Sequence, residues 1–389
     1  MRPFRVEIPQ ADLDELHRRL DSARWPGELP GVGWDRGVPL EYLKELAGYW
    51  RSGFDWRAAE ERLNRYPQFL TEIDGVDVHF LHARSAEPDA VPLIITHGWP
   101  GSYAEFLDVV GPLTDPAAHG GDAGDAFHVV VPSIPGYGFS GHPGETGWST
   151  KRVGRAWAEL MRRLGYDRFV AQGGDWGMPI SLETGLAAPD SILGVHVNMF
   201  AAFPPEDPAE WGALSESDMG RLGFSQHFEQ DGAGWRLIQS TRPQTLSYAL
   251  TDSPIGQLAW IAEKYKEWTG SVKSPEDAVD RDTLLTIASI YWLTASAGSS
   301  AQLYYESNHL TADFVTTWGG PWNLAAPAGV AVFPKDVVRP VRAFAERVLP
   351  TLTHWSEIER GGHFAALEEP ELWLDDVRAF VRTLRGRSA

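Results

Sequence analysis

The 389-residue sequence contains no cysteine. That absence excludes disulfide bonds, thiolate nucleophiles and metal sites built on cysteine ligands. Basic residues are also in deficit, because 34 Lys and Arg stand against 53 Asp and Glu, for a formal net charge of −19. Such a surface repels a phosphate backbone, and no basic run is interleaved with aromatic residues. Nucleic-acid binding is therefore not expected.

Long apolar stretches are missing as well. No segment approaches the roughly 18 consecutive apolar residues of a membrane-spanning helix, and the first residues, "MRPFRVEIPQ", have no apolar signal region. We therefore expect a cytoplasmic protein without a membrane partner. Its 22% charged and 43% apolar residues are typical of a soluble globular enzyme.

The sequence does contain a regular alternation of short apolar β-rich runs and helical stretches. Runs such as "PLIITHG", "FHVVVPSIPG" and "RFVAQGG" are apolar almost throughout, and helical segments such as "VGRAWAELMRRLG" lie between them. This pattern predicts an α/β fold with a mostly parallel sheet covered on both faces. The core is predicted over residues 76–200 and 323–389.

Two further segments flank or interrupt this core. Residues 1–75 are predicted to form an N-terminal helical extension that wraps on the core, with Leu13, Leu16 and Leu20 at helical spacing and Asp55 as a helix N-cap. Residues 201–322 are rich in aromatic residues and read as a helical lid inserted into the core. No internal repeat is evident.

Four loops follow the predicted strands and carry reactive side chains. They are "THGWPGS" with Trp99, "GGDWG" with Asp175 and Trp176, "FPKD" with Asp336, and "RGGHF" with His363. Reactive groups in an open parallel sheet lie beyond the carboxyl ends of the strands. The chain order of nucleophile, acid and histidine is that of a hydrolase triad with aspartate in the nucleophile position.

The glycines of "GGDWG" predict a tight turn between a strand and a helix. An aspartate on this turn is suited to attack on a saturated carbon. A serine needs histidine to remove its proton, whereas an aspartate side chain is ordinarily an anion at neutral pH. Asp175 would form an alkyl ester, which water activated by His363 would then hydrolyse, with Asp336 orienting the imidazole. The backbone N–H groups of Trp99 and Trp176 are the expected oxyanion hole.

The leaving group then decides the reaction. An epoxide oxygen leaves as a basic alkoxide and needs an acid such as tyrosine, which the lid offers at Tyr304 and Tyr305. A halide needs only weak N–H donors, so a haloalkane dehalogenase is the nearest alternative. A non-catalytic binding protein on the same fold is the alternative from another class.

These motifs resemble the epoxide hydrolases of the microsomal and juvenile-hormone type. The opening "PFRVEIPQADLDELHRRLDSARWP" is similar to the N-terminal extension of that family. "THGWPGS", "PSIPGYGFS", "GGDWG", "LTDSPIGQLAWIAEKYKEWT" and "RGGHFAALEEPELWLDD" are similar to its core and lid motifs. The resemblance covers essentially the whole chain. It implies an α/β-hydrolase fold with a helical lid, no cofactor, no metal, and addition of water to an epoxide to give a vicinal diol.

The resemblance also assigns roles to individual residues. Asp175 matches the family's nucleophile, His363 its base, and Trp99 and Trp176 its oxyanion-hole positions. Asp336 stands at the acid position, where many relatives have glutamate.

The lid residues match the family less completely. Tyr304 matches one of the two lid tyrosines, although the adjacent Tyr305 leaves a one-residue ambiguity. Trp235, in "GAGWRLIQSTRPQT", stands where the second tyrosine is normally found. An indole N–H can donate a hydrogen bond but does not give up its proton. Trp235 is thus expected either to help bind the epoxide oxygen or only to pack in the lid, and Tyr305 is expected to contact substrate.

The narrower resemblance is to actinobacterial epoxide hydrolases of enediyne antibiotic biosynthesis. It implies a bulky, apolar or aryl-type epoxide as substrate. The sequence allows a homodimer but does not require one.

Overall fold

The computed structural model describes residues 1–212, 214–309 and 311–385. Its strands join into a single nine-stranded sheet. The strands are β1 (Arg2–Phe4), β2 (Gln68–Ile73), β3 (Val76–Ala83), β4 (Val91–Thr96), β5 (Phe127–Pro132), β6 (Phe169–Gly173), β7 (Ile192–Asn198), β8 (Ala328–Val332) and β9 (Leu352–Glu357).

The sheet has the order β1-β2-β3-β5-β4-β6-β7-β8-β9. The pairs β1–β2, β2–β3 and β3–β5 are antiparallel, whereas every pair from β5 to β9 is parallel. The expected mostly parallel sheet is therefore confirmed. The edge strand β9 had no apolar run to predict it, because none of its side chains is fully buried.

Helices pack on the sheet and also occur in the extension and the lid. They are α1 (Gln10–Asp21), α2 (Leu40–Ser52), α3 (Trp56–Leu63), α4 (Leu107–Thr114), α5 (Thr150–Arg163), α6 (Gly177–Ala187), α7 (Glu216–His227), α8 (Gly234–Thr241), α9 (Pro243–Asp252), α10 (Pro254–Glu267), α11 (Arg281–Leu293), α12 (Ser296–Asn308), α13 (Thr311–Gly319), α14 (Arg342–Val348), α15 (Ala365–Glu368) and α16 (Pro370–Arg385). Short 3-10 turns lie at Tyr103–Phe106, Ala117–His119, Ala123–Asp125, Pro208–Glu210 and Pro275–Asp277, and a π turn at Phe228–Gly232.

Helices pack on both faces of the sheet. Val195 on β7 lies against α6, where a Cβ placed on Gly185 would be 3.1 Å from it. The next residue along β7, His196, hydrogen bonds to Asp376 on α16. Successive strand residues point to opposite faces, so α6 and α16 cover opposite sides of β7.

The N-terminal extension contains both helices and strands. Leu13, Leu16 and Leu20 are buried on α1, as their spacing predicts. Asp55 caps α3, because its side chain accepts from two backbone N–H groups of the first turn. The structure differs from the purely helical expectation in adding β1 and β2 to the sheet. Both strands were hard to predict from the sequence. The edge strand β1 has only three residues, and β2, "QFLTEI", mixes polar with apolar residues.

The extension also contacts the lid. The indole of Trp50 on α2 donates to the Ser289 hydroxyl on α11 at 2.9 Å, and both groups are buried. Arg62 on α3 hydrogen bonds to Thr283 on α11 and to Asp108 on α4. The extension therefore links the lid to the core.

The regular elements described in the lid segment are helical, from α7 to α13, and loops and turns join them. The exact boundaries at 75, 200 and 322 remain predictions. Within residues 1–212, 214–309 and 311–385, no helix combines the length and the apolarity that a bilayer crossing requires.

Candidate active site

Asp175 sits on a tight turn between β6 and α6. Its backbone φ is 50°, in the left-handed region that residues other than glycine rarely adopt. The turn is pressed against β4, since a Cβ on Gly177 would come within 2.0 Å of the Thr96 carbonyl oxygen. Only glycine fits there, and the strained turn holds the Asp175 carboxylate beyond the end of the sheet.

One carboxylate oxygen of Asp175 is held by the loop after β4. The backbone N–H of Trp99 donates to Oδ1 at 2.8 Å. A Cβ at Gly98 would lie 2.1 Å from the same oxygen, so the loop can approach only because residue 98 is glycine. The structure thus supplies a backbone donor to Oδ1, at the position predicted from the sequence.

The other oxygen faces the imidazole of His363. Nε2 of His363 lies 3.4 Å from Oδ2 of Asp175, and Nδ1 lies 2.9 Å from Oδ1 of Asp336. The backbone N–H of His363 donates to the carbonyl of Trp268 at 2.8 Å, which fixes the loop. Burial alone would lower the pKa of His363, but the two carboxylates outweigh it and raise the pKa to about 10.

Asp336 lies just after β8 and is fully buried. Its Oδ1 accepts from the imidazole of His363 and also from the backbone N–H of Val337 at 2.7 Å. A buried carboxylate needs such partners, because desolvation of an unpaired charge is costly. The structure therefore brings Asp175, His363 and Asp336 together in the predicted order.

Tyr304 on α12 reaches the same site from the lid. Its ring is buried and lies edge-on to Trp176, with 4.7 Å between ring centroids. Its hydroxyl has no hydrogen-bond partner among the described residues. Burial, reinforced by the negative charge of Asp175, raises the pKa of Tyr304 well above its usual value. The hydroxyl thus stays protonated and available to a ligand.

Trp235 on α8 stacks over Trp99. The two rings are 4.9 Å apart and nearly parallel, at 13°, and Trp235 also lies edge-on to Tyr304 at 5.4 Å. Its indole N–H is buried without a partner in the described part of the chain. The position predicted for the second lid tyrosine therefore lines the same cavity as Asp175, and its N–H has no acceptor among the described residues.

Tyr305 lies apart from these residues. It is 40% exposed, and its ring packs on His309 at 4.1 Å. It does not line the cavity that contains Asp175 and Tyr304. The geometry gives no support to the substrate contact predicted at Tyr305, because adjacent helical residues point about 100° apart.

A cavity of about 540 Å³ opens from Asp175 between core and lid. Ligand sites of small-molecule enzymes usually measure about 300–1,000 Å³. Its walls are mainly apolar and aromatic, and they include Met199, Phe203, Trp211, Phe228, Trp235, Trp268, Tyr304, Phe314 and Trp318. The cavity can therefore hold a sizeable apolar molecule against Asp175.

Sequence reasoning missed Glu105, which is buried behind the triad. Its Oε1 accepts from the backbone N–H of Ser102 at 2.9 Å. Burial raises the pKa of Glu105 to about 8, against the opposing effect of His363, so the carboxyl stays protonated at neutral pH. The sequence "SYAE" has the spacing of a capping box, which predicts the turn. It does not indicate that the pKa of Glu105 is raised.

Glu105 also lines a second, small cavity. This space of about 20 Å³ is bounded by Glu105, Asp175, His363 and Asn198 among others. One water molecule needs roughly 10–15 Å³ measured in this way. The cavity is therefore large enough for a single water next to the carboxylate and the imidazole.

His97, the other histidine near Asp175, is structural. Its Nε2 lies 3.3 Å from the backbone N–H of Ile134, and its Nδ1 lies 3.0 Å from the Gly98 carbonyl. Burial lowers the pKa of His97 to about 4, so its imidazole stays neutral. His363 is thus the histidine that can exchange protons at this site.

A separate cluster of His196, His354 and Asp376 has the composition of a metal site. However, the two imidazoles already hydrogen bond to Asp376, at 2.8 and 2.9 Å. None of the three lines the cavity at Asp175. The cluster forms a hydrogen-bonded link between β7, β9 and α16.

Two family models match this chain. One, described as "Epoxide hydrolase N terminus", matches residues 1–106, and the other, described as "alpha/beta hydrolase fold", matches residues 91–231. The expected α/β-hydrolase fold is thereby confirmed.

Relatives match along nearly the full length. A putative epoxide hydrolase of Stigmatella aurantiaca is 46% identical over 385 residues, covering 99% of this chain and 86% of the relative. Epoxide hydrolase 1 of Sus scrofa is 36% identical over 406 residues, covering 99% and 89%.

Solved structures agree with these sequence relationships. The epoxide hydrolase of Aspergillus niger superimposes with a TM-score of 0.87 at 34% identity, over 98% of this chain and 96% of the other. The juvenile hormone epoxide hydrolase of the silkworm Bombyx mori gives a TM-score of 0.91 at 29% identity, over 100% and 95%.

Proposed function

Because this chain belongs to the epoxide hydrolase family, we propose that it opens its epoxide in two steps, with Asp175 as the nucleophile. One observation carries the proposal. The Asp175 carboxylate is held between the Trp99 N–H and the His363 imidazole, at the end of a cavity lined by Tyr304, whose hydroxyl has no partner in the described part of the chain.

In the first step, Oδ2 of Asp175 attacks one ring carbon of the epoxide. The carbon–oxygen bond of the ring breaks, and the departing alkoxide takes the proton of the Tyr304 hydroxyl. Oδ1 remains on the Trp99 N–H and becomes the carbonyl oxygen of the new ester. A tyrosine held protonated is suited to this role, because an alkoxide is far more basic than a phenolate.

In the second step, water attacks the carboxyl carbon of the ester. His363 takes a proton from the water, and the negative charge that develops on Oδ1 is stabilised by the N–H of Trp99 and, we propose, that of Trp176. The ester bond breaks, the alcohol oxygen receives a proton from His363, and a vicinal diol leaves, with Asp175 as the carboxylic acid. The acid proton of Asp175 then passes to His363, which restores the carboxylate and the imidazolium. Tyr304 regains its proton from solvent, to which His363 released one before the water attacked. The small cavity beside Glu105 is the proposed position of the attacking water.

Asp336 orients His363 throughout and stabilises its charged form. The pKa of His363, raised to about 10, makes it a cation in the free enzyme. Ester formation neutralises Asp175 and removes one of the two charges that raise this pKa. His363 would thus become a base only after the ester has formed.

Trp235 is proposed to assist Tyr304 at the epoxide oxygen. The support is its indole N–H, which is buried next to Tyr304 and finds no acceptor within the described residues. In the alternative, Trp235 only packs on Trp99. If the N–H donates, Trp235→Phe should slow ester formation, whereas a packing residue would tolerate the smaller ring. Its place among the lid aromatics also gives it an expected influence on substrate shape and ring-carbon preference.

The proposed substrate is a bulky, apolar or aryl-type epoxide, in keeping with the aromatic walls and the cavity of about 540 Å³. Enediyne antibiotic biosynthesis, a cytoplasmic location and a homodimer stay predictions from the sequence.

The mechanism is tested by His363→Gln, which removes the base but leaves the nucleophile. With styrene oxide, this variant should accumulate one substrate mass on the Asp175 peptide in mass spectrometry, while Asp175→Asn should show none. Turnover by the His363 variant without any adduct would refute the scheme. A bromoalkane serves as the comparison substrate, because bromide release without diol formation from styrene oxide would favour the dehalogenase alternative.

A further inference from the structure

Arg339 is a cation in the wall of the active-site cavity. It follows Asp336 in the segment after β8 and lines the same cavity as Asp175 and Tyr304. Its Nε–H donates to the backbone carbonyl of Asp336 at 3.2 Å, and its guanidinium carbon lies 3.5 Å from the centre of the Phe224 ring. The Nε edge and one face of the guanidinium are therefore held by these contacts, and the side chain is half-buried.

The terminal nitrogens of this guanidinium have no acceptor among the described residues. Two neighbouring arginines differ. Arg236, which also lines the cavity, pairs with Glu229, and Arg221 pairs with Glu357 at 2.7 Å. Of the arginines that line the cavity, Arg339 alone has no carboxylate partner in the described part of the chain.

An unpaired cation in this position is unfavourable in the free protein. Burial lowers the pKa of Arg339, the charge of Arg221 acts in the same direction, and Asp336 only partly offsets them.

The rest of the cavity wall is mainly apolar, and its two carboxylates already have other partners. Glu229 pairs with Arg236, and Asp175 contacts the Trp99 N–H and the His363 imidazole. A planar guanidinium with free terminal N–H groups binds a carboxylate through two parallel hydrogen bonds.

We propose that Arg339 determines specificity by binding a carboxylate that the substrate carries outside its epoxide ring. The inference deepens the proposed function and rests on it, because it takes this cavity as the epoxide site. The preference must be local, since a net charge of −19 disfavours the approach of anions in general. The contact would form equally in the ground and transition states, so it acts mainly on KM.

The test compares two matched epoxides, 4-(oxiran-2-yl)benzoate and the corresponding primary amide. Charge-assisted hydrogen bonds are strong enough that we expect kcat/KM of the wild type to favour the carboxylate by about 10-fold or more. Arg339→Gln should bring that ratio close to one, mainly through KM. Arg339→Lys, which keeps the charge but loses the planar fork, should give an intermediate ratio.

Arg221→Gln is the matched control. It removes a nearby arginine that does not line the cavity, so the ratio should remain that of the wild type. Taking a ratio cancels any effect that loss of the Asp336 contact has on both substrates. A wild-type ratio near one, or a ratio that Arg339→Gln leaves unchanged, would overturn the proposal and leave Arg339 as a packing residue on Phe224.

Binding separates this inference from the proposed function. The diols of the two compounds can be titrated against the protein by tryptophan fluorescence, without any turnover. Failure of the wild type to hydrolyse either epoxide would count against the proposed function. Tighter binding of the carboxylate diol than of the amide diol, lost in Arg339→Gln, would still support the carboxylate site. Equal binding in both proteins would refute it.

Discussion

The charge of Asp175 should control the protonation of His363. The Asp175→Asn variant mimics the neutral ester, since it keeps the shape of the side chain and removes the negative charge. In the wild type, Nε2 of His363 lies 3.4 Å from Oδ2 of Asp175. Unit charges at this distance, with an effective dielectric constant of about 20, attract each other by about 5 kcal/mol.

That energy corresponds to about 3 to 4 pH units as an upper limit, at about 1.36 kcal/mol for each unit. Asp336 remains in place at 2.9 Å and continues to favour the imidazolium, while burial opposes it. The pKa of His363 is about 10 in the free enzyme. We therefore expect its titration midpoint to move down by about 2 or more pH units in the variant.

Proton NMR of protein labelled on its histidine rings measures this midpoint directly. The 12 histidines can be sorted by identifying the signal that is missing in His363→Gln. Asp108→Asn is the control, because it neutralises an exposed carboxylate that pairs with Arg62. A His363 midpoint that is the same in Asp175→Asn and in the control would refute the reasoning. The ester would then have no means of converting His363 into a base.

Three further predictions concern single contacts. Tyr304→Phe should lower kcat/KM for styrene oxide about 10²–10⁴-fold by slowing ester formation in stopped-flow fluorescence, while Tyr305→Phe stays within about two-fold of the wild type. Gly98→Ala should abolish adduct formation in a folded protein, because its methyl group would lie 2.1 Å from Oδ1 of Asp175; a normal rate would show that the loop can move away. Glu105→Gln should stabilise the protein by about 1–3 kcal/mol at pH 8–9 and change little at pH 5. The pKa of Glu105 is raised to about 8, so the folded state holds a proton that the unfolded state loses near pH 4.5, and wild-type stability falls as pH rises between those values. Equal denaturation midpoints at pH 9 would contradict this.

The proposed reacting groups could be predicted because they lie in short local motifs. The turn "GGDWG" requires glycines on both sides of Asp175, because a Cβ on Gly174 would lie 2.3 Å from the Asn198 side chain and one on Gly177 would lie 2.0 Å from the Thr96 carbonyl oxygen. Asp336 and His363 each follow a strand or precede a helix, where a parallel sheet gathers reactive side chains. Local sequence therefore determined the fold class and the set of candidate catalytic residues that the fold brings together.

Electrostatics and lid geometry could not be obtained in the same way. Tyr304 and Tyr305 are adjacent in sequence, and only the docking of α12 decides that one lines the cavity and the other faces outward. The pKa values of Glu105 and His363 depend on burial and on charges far along the chain, as does the unpaired state of Arg339. Spacing along a chain fixes which groups are present, but desolvation and charge pairing are properties of the packed molecule, and so the tertiary structure alone decided them.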